Sequence, residues 1–284
     1  MNLLFWWMNI AFATTKIMSP NTSNNTNKNS SSGSSRSCGS NPQQEEPSTL
    51  LTASSSSFMP DTFGRLVDKL RPLLLQAEDG QQQHWIGVAG GPGSGKTTTA
   101  EAVANQLNEL VPNCALVIPM DGWHYPKMKL LQLQGEEGYK RRGAPWTYDV
   151  DKCWNDLKQA KERREASLPI YSREISDPVE NGIHLNRSHK IVFVEGNYVL
   201  LQDDPQWGKL MELWDQKWFV KCPTREIQIE RLVKRSLKTW HKSKAQVWGP
   251  GEEGARKRVY YNDVENMDTV SYCESLADEV IVSS

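Results

Sequence analysis

The 284-residue chain sets 33 Lys and Arg against 34 Asp and Glu, for a formal net charge of −1, with 38% hydrophobic residues. That length suits one large domain or two small ones with a sizeable core, and the balanced charge argues against a general nucleic-acid binder. The 5 cysteines (Cys38, Cys114, Cys153, Cys222 and Cys273) are odd in number and lack CxxC spacing, and no run of 18 apolar residues is present, so neither a disulfide framework, a zinc site nor a membrane span is expected.

Residues 1–13 are apolar and end in small residues, with Ala11-Phe12-Ala13 as a cleavage-like neighbourhood. The tract 21–57 follows, with 13 Ser and 6 Asn. Such a tract buries too little apolar surface to offset the entropy of ordering, so residues 1–58 are expected to be a disordered extension. Two readings of it stay open: a two-part presequence addressing an organelle, or an extension without any targeting role. The expected location is cytoplasmic, with the organelle as the alternative.

Helical spacing begins after Pro60. Phe63, Leu66, Val67, Leu70, Leu73 and Leu74 form one apolar stripe, with Asp61 placed to cap it and Pro72 inside it. This helix is expected to cover one face of the core.

His84-Trp85-Ile86-Gly87-Val88-Ala89 then reads as a short buried strand. It runs directly into Gly90-Gly91-Pro92-Gly93-Ser94-Gly95-Lys96-Thr97-Thr98, and helical sequence follows from Ala100. The spacing is GxxxxGK[ST]. Glycines let backbone N–H groups turn inward around phosphate oxygens, and the helix N-terminus adds partial positive charge. Lys96 is expected to reach the β- and γ-phosphates of a nucleoside triphosphate, and Thr97 to offer its hydroxyl to Mg²⁺. The strand before and the helix after make this signal specific.

Four more apolar runs read as strands: Ala115–Ile118, Ile191–Val194, Trp218–Val220 and Glu279–Val282. Helical stretches fall around 97–110, 151–164 and 224–239. This alternation predicts an α/β fold with a parallel sheet covered on both faces, whose ligands sit at the carboxyl ends of the strands. At those ends stand Asp121, placed to accept the proton of an attacking hydroxyl, and Glu195, placed to hold Mg²⁺. Along 231–238, Arg231, Lys234, Arg235 and Lys238 share one helix face, and Arg235 and Lys238 are candidate cations for stabilising a migrating phosphoryl group. Gly249-Pro250-Gly251 reads as a hinge beyond them. The run Lys140–Asp149, with Arg141 and Arg142 beside Trp146 and Tyr148, lies in the region left for an acceptor substrate.

Taken together, GGPGSGKTT, PMDGWHY, RRGAPWTYD, DPVE, VEGNYVLL, RLVKR and YNDVEN resemble the phosphoribulokinase/uridine kinase family over roughly residues 60–284. The likeness is to its uridine kinase-like branch, with bacterial-type pantothenate kinases as more distant relatives. The resemblance implies a P-loop NTPase, nucleoside-kinase-like three-layer fold: a five-stranded parallel sheet of order 2-3-1-4-5 with a helical lid, in a kinase domain over 59–284. It also implies ATP-dependent phosphorylation of a small-molecule hydroxyl. By motif, Asp121 matches the family's base, Glu195 an acid near Mg²⁺, and Arg231–Lys238 the start of an arginine-bearing lid. Asn262 and Asp263 match an Asn-Asp pair after the lid. His124, Arg141, Arg142 and Tyr171 are the candidate acceptor contacts, Tyr171 as counterpart of a base-holding tyrosine. The sequence departs from the branch at Trp123, where Phe is usual and where a larger ring would reshape the acceptor pocket, and at Ser236, where relatives often carry His.

The function expected is therefore a kinase transferring the γ-phosphoryl group of Mg-ATP to a nucleoside-, sugar- or pantothenate-like metabolite, with no nucleic-acid partner. An ATPase or nucleotide-dependent switch acting on a macromolecular partner is the rival. A non-catalytic nucleotide-binding module is a third reading, opposed by the joint presence of Lys96, Thr97, Asp121 and Glu195.

Overall fold

A computed structural model of the chain describes residues 62–75 and 82–283. The extension expected over 1–58, with its presequence reading, and the capping role of Asp61 lie outside the described residues.

The chain starts with helix α1 (Thr62–Leu75), strand β1 (His84–Ala89), helix α2 (Lys96–Leu110), strand β2 (Ala115–Pro119), helix α3 (Lys127–Lys140) and helix α4 (Val150–Arg163). A hairpin of β3 (Ala166–Ser172) and β4 (Asp177–Leu185) precedes β5 (Ile191–Glu195) and β6 (Gln216–Lys221). Four helices, α5 (Arg225–Lys238), α6 (Lys242–Trp248), α7 (Gly251–Arg258) and α8 (Glu265–Thr269), lead to the last strand, β7 (Glu279–Val282).

Strand β1 is apolar on both faces because it has no wet side. It pairs in parallel with β5 and β6; β2 lies outside β5 and β7 outside β6. Counted among themselves, the five parallel strands run in the expected order 2-3-1-4-5. Ile86, Val88, Phe193, Trp218 and Val220 face a core closed by α1 and α2, to which Leu66, Val67 and Leu70 contribute. Alternate residues Trp85, Ala89, Val192, Val194 and Phe219 face the opposite core, closed by α4, the hairpin and the 198–214 segment. The result is three layers. Arg65 fastens α1 to β7 through Glu279 at 3.1 Å.

The parallel strands and helices α1, α2, α4 and α5 stand where their periodicity predicts them. The β3–β4 hairpin and α3 are additions. Pro169 interrupts β3 beside a register shift between Leu168 and Ile170, and β4 is mostly exposed, so neither strand presents an uninterrupted alternation. Gly135 breaks the helical geometry of α3 with φ 62°, which splits its apolar stripe. None of the described helices is long and apolar enough to cross a membrane.

Candidate active site

The phosphate loop is shaped by backbone conformations that exclude larger residues. Gly93 (φ +76°) and Gly95 (φ +95°) occupy the left-handed region, and a Cβ at Gly90 would sit 2.3 Å from the Val220 carbonyl oxygen. Ser94 N–H donates to the Gly91 carbonyl at 3.1 Å and closes the turn. Gly95 ends it as the residue before α2, with no side-chain cap on the helix. The first-turn N–H groups of α2 therefore have no acceptor within the helix and open toward the loop. Helix α5 backs the loop: Gln228 Nε2 donates to the Pro92 carbonyl at 2.8 Å, and Leu232 lies against Gly93.

Strand register brings the chemistry to this loop. Val88 and Pro119 both pair with Glu195, so the ends of β1, β5 and β2 lie side by side. Thr97 Oγ1 donates to Glu195 Oε1 at 2.9 Å. Glu195 is 5% exposed. Burial pushes its carboxyl above the usual range, opposed by Lys96 and the Thr97 hydroxyl and reinforced by Asp121. A buried carboxylate joined to a hydroxyl, beside a lysine, is a hard-oxygen donor pair that fits Mg²⁺. Asp121 stands on the short turn Met120–Trp123 directly after β2, exposed toward the same edge. A Cβ at Gly122 would meet the Pro169 carbonyl at 2.3 Å, so this turn is pressed onto the hairpin.

Three of the acceptor candidates, His124, Arg142 and Tyr171, gather beside Asp121. The His124 ring stacks on Tyr148 at 3.9 Å and lies 5.4 Å from Tyr171. Burial lowers the His124 pKa, opposed by the neighbouring Asp121 carboxylate. Arg142 sits over the Tyr171 ring at 5.4 Å, and its guanidinium is already engaged by Asp177 (2.6 Å), the Ser176 carbonyl (2.7 Å) and the Tyr125 carbonyl (3.1 Å). Arg141 points away from this group, to Glu265 at 2.6 Å and to the Tyr261 carbonyl. Trp123 is buried, with its indole N–H donating to Asp156 at 2.8 Å, so the larger ring is absorbed by the core against α4.

A profile of the Phosphoribulokinase / Uridine kinase family matches residues 85–262. The chain belongs to this family. It is 34% identical over 194 residues to "Putative uridine kinase C227.14" of Schizosaccharomyces pombe, an alignment covering 67% of this chain and 79% of that one. It is 31% identical over 169 residues to a pantothenate kinase of Streptococcus pneumoniae, covering 57% of this chain and 53% of that enzyme. Among solved structures, a "putative fructose transport system kinase" from Silicibacter sp. superposes with a TM-score of 0.63 at 26% identity, over 76% of this chain and 98% of that one. Yeast YFH7, at 17% identity and a TM-score of 0.62 over 78% and 98% of the two chains, shares the fold. The protein is thus a P-loop kinase.

Beyond its phosphate loop, this family member carries helices α5–α8 with a small core of their own, built from Ile229, Leu232, Val233, Ala255, Val259, Val264 and Met267. Gly249 (φ +97°) and Gly251 (φ +54°) form the joint between α6 and α7 at the expected hinge position. Lys238 is exposed; Arg235, with 64% of its side chain exposed, lies 3.9 Å from Asp263. Arg231 instead turns inward, to Ser283 Oγ at 2.9 Å and Cys222 Sγ at 3.2 Å.

Two roles escaped the sequence. A π-type turn over Val259–Val264 rotates Asn262 and Asp263 inward, where both are buried. Asp263 accepts from Arg258 at 3.1 Å, so Arg258 and Arg235 flank one carboxylate. Asn262 donates to the Arg142 carbonyl at 3.1 Å and Asn266 to the Gly143 carbonyl at 3.2 Å, which also accepts from the Tyr198 hydroxyl at 2.5 Å. The helical segment is thereby latched to the acceptor loop. No spacing rule announces such a latch, because its partners lie more than 100 residues apart.

Proposed function

We propose that residues 59–284 form an ATP-dependent kinase domain that transfers the γ-phosphoryl group to a hydroxyl of a nucleoside-, sugar- or pantothenate-like metabolite, with residues 1–58 as an extension. The observation that carries this reading is the alignment of Glu195 with Val88 and Pro119, which sets Asp121, Glu195 and the Gly90–Thr98 loop at one edge of the sheet. The acceptor classes are supported by the relatives, whose names span uridine, pantothenate and fructose-transport kinases.

In this reading the Gly90–Thr98 loop, through its backbone N–H groups other than the missing one at Pro92, and the Lys96 ammonium hold the ATP phosphates. Thr97 and Glu195 hold Mg²⁺, which when bound neutralises charge on the phosphate oxygens. Asp121 takes the proton of the acceptor hydroxyl as that oxygen attacks the γ-phosphorus. His124 and Tyr171 form the aromatic wall of the acceptor site, with the Arg142 guanidinium supplying positive charge beside it. Arg235 and Lys238 stabilise the migrating phosphoryl group, and the helical lid over the site excludes water.

The test is ADP release from Mg-ATP with a panel of nucleosides, sugars and vitamin alcohols. Strong stimulation by one compound is the expected result and names the acceptor. Steady release that no compound alters would replace the kinase reading with an ATPase.

A further inference from the structure

Asp121 has 58% of its side chain exposed, an environment in which a carboxylate samples several rotamers unless a neighbour fixes it. Two neighbours do so here. His124 Nδ1 lies 2.9 Å from the Asp121 carbonyl oxygen; a carbonyl only accepts, so this nitrogen carries the proton and donates, fixing the turn's backbone. The Tyr148 hydroxyl lies 3.2 Å from Asp121 Oδ1 and donates to it, fixing the side chain.

Tyr148 is itself immobilised. It is 3% exposed, meets Tyr198 and Trp207 edge-on at 5.8 and 5.5 Å, and carries the His124 ring at 3.9 Å. Its backbone is zipped to the Asp121 turn, because Tyr125 N–H donates to the Thr147 carbonyl at 3.0 Å and Asp149 N–H to the Trp123 carbonyl at 2.8 Å. Burial and Asp121 together push the phenol well above its ordinary pKa, which keeps it a donor across the working range. A hydroxyl buried this deeply is costly without a partner, so the contact with Asp121 persists.

We propose that Tyr148 is a positioning residue for phosphoryl transfer: its hydroxyl pins Asp121 Oδ1 and leaves Oδ2 to receive the acceptor's proton. This rests on the reading of Asp121 as the base. In the step itself the acceptor O–H proton passes to Oδ2, the acceptor oxygen bonds to the γ-phosphorus, and the bond to the bridging oxygen breaks to leave ADP. The balance is complete without a further reactant.

The experiment measures kcat and KM of the full chain with Mg-ATP and the fastest acceptor of the panel, water counted as one of its members. Tyr148→Phe keeps the ring packed against Tyr198 and Trp207, and its melting temperature and nucleotide binding are measured alongside. The expected result is a fall in kcat of about tenfold with KM for ATP unchanged. The deciding comparison is the same substitution in an Asp121→Asn background, where it should cause no further loss because there is no base left to position. An unchanged kcat in Tyr148→Phe, or an equal loss in both backgrounds, would overturn the proposal and leave Tyr148 a packing residue. Wild-type kcat in Asp121→Asn alone would instead remove the base reading on which the proposal stands.

Discussion

The phosphate loop and the junction between the acceptor loop and helices α5–α8 are built in opposite ways. The first is one contiguous segment whose shape comes from backbone conformation, Gly93 and Gly95 at positive φ and helix α2 opening behind them. The second is assembled by side chains from segments far apart in sequence: Arg141, Arg142 and Gly143 on one, Tyr198 on another, Tyr261, Asn262, Glu265 and Asn266 on a third. Backbone-built sites depend on a few residue types and tolerate change elsewhere. Side-chain-built junctions spread their energy over many modest contacts, and loss of any one shifts coupling more than chemistry. Substitutions at the first should therefore strike kcat with little change in stability, and those at the second should strike acceptor KM and stability first.

The largest effect expected is at the strand ends. Asp121→Asn keeps the side chain's size and its contact with Tyr148 but removes the base, and kcat should fall about 10³-fold with nucleotide binding retained. Steady-state kinetics beside calorimetric titration of ATP check both halves, and an unchanged kcat would sink the base assignment. Lys96→Ala should lower kcat about 10²-fold and weaken nucleotide binding as well, because the same ammonium serves bound phosphate and transferring phosphate. Full activity in that variant would contradict the phosphate-loop reading.

That the first region was legible and the second was not has a physical cause. GxxxxGK[ST] is readable because each residue answers a local demand, and the parallel strands are readable because both faces are dry. Asp121 and Glu195 follow from strand-end position alone. By contrast, whether Arg142 is a free cation depends on Asp177 and Ser176, which arrive on a hairpin whose alternation is blurred by Pro169 and by the exposure of β4. Its guanidinium meets three acceptors within the fold, a commitment visible only once the hairpin is placed. The inward turn of Asn262 and Asp263 likewise depends on a π-type turn, which leaves no residue signature of its own.

Two intermediate effects sharpen the contrast. Glu195→Gln removes charge from the Thr97 pair while keeping its shape, and the Mg²⁺ concentration for half-maximal rate should rise about tenfold. An unaltered Mg²⁺ titration would take Glu195 out of the metal site. Arg142→Lys keeps the charge but cannot meet Asp177 and two carbonyls with one planar fork. Stability should fall by about 2 kcal/mol, read by denaturant unfolding, and acceptor KM should rise more than kcat falls. A selective loss of kcat instead would place the guanidinium at the reacting atoms.

The smallest effect belongs to the latch. Asn266→Ala removes one donor from the Gly143 carbonyl, which still accepts from the Tyr198 hydroxyl, and the long 3.4 Å contact to Asn262 Oδ1. The expected cost is about 1 kcal/mol of stability, with kcat within about twofold of wild type and acceptor KM raised a few-fold as the loop uncouples from α8. Asn266→Ala combined with Tyr198→Phe strips both donors from that carbonyl, and the pair should cost more than the sum of the single changes. Strict additivity in the cycle would mean that the two donors do not share one acceptor in solution, and that the loop is held to the helices by the other contacts, the Arg141–Glu265 pair and the Asn262 amide on the Arg142 carbonyl.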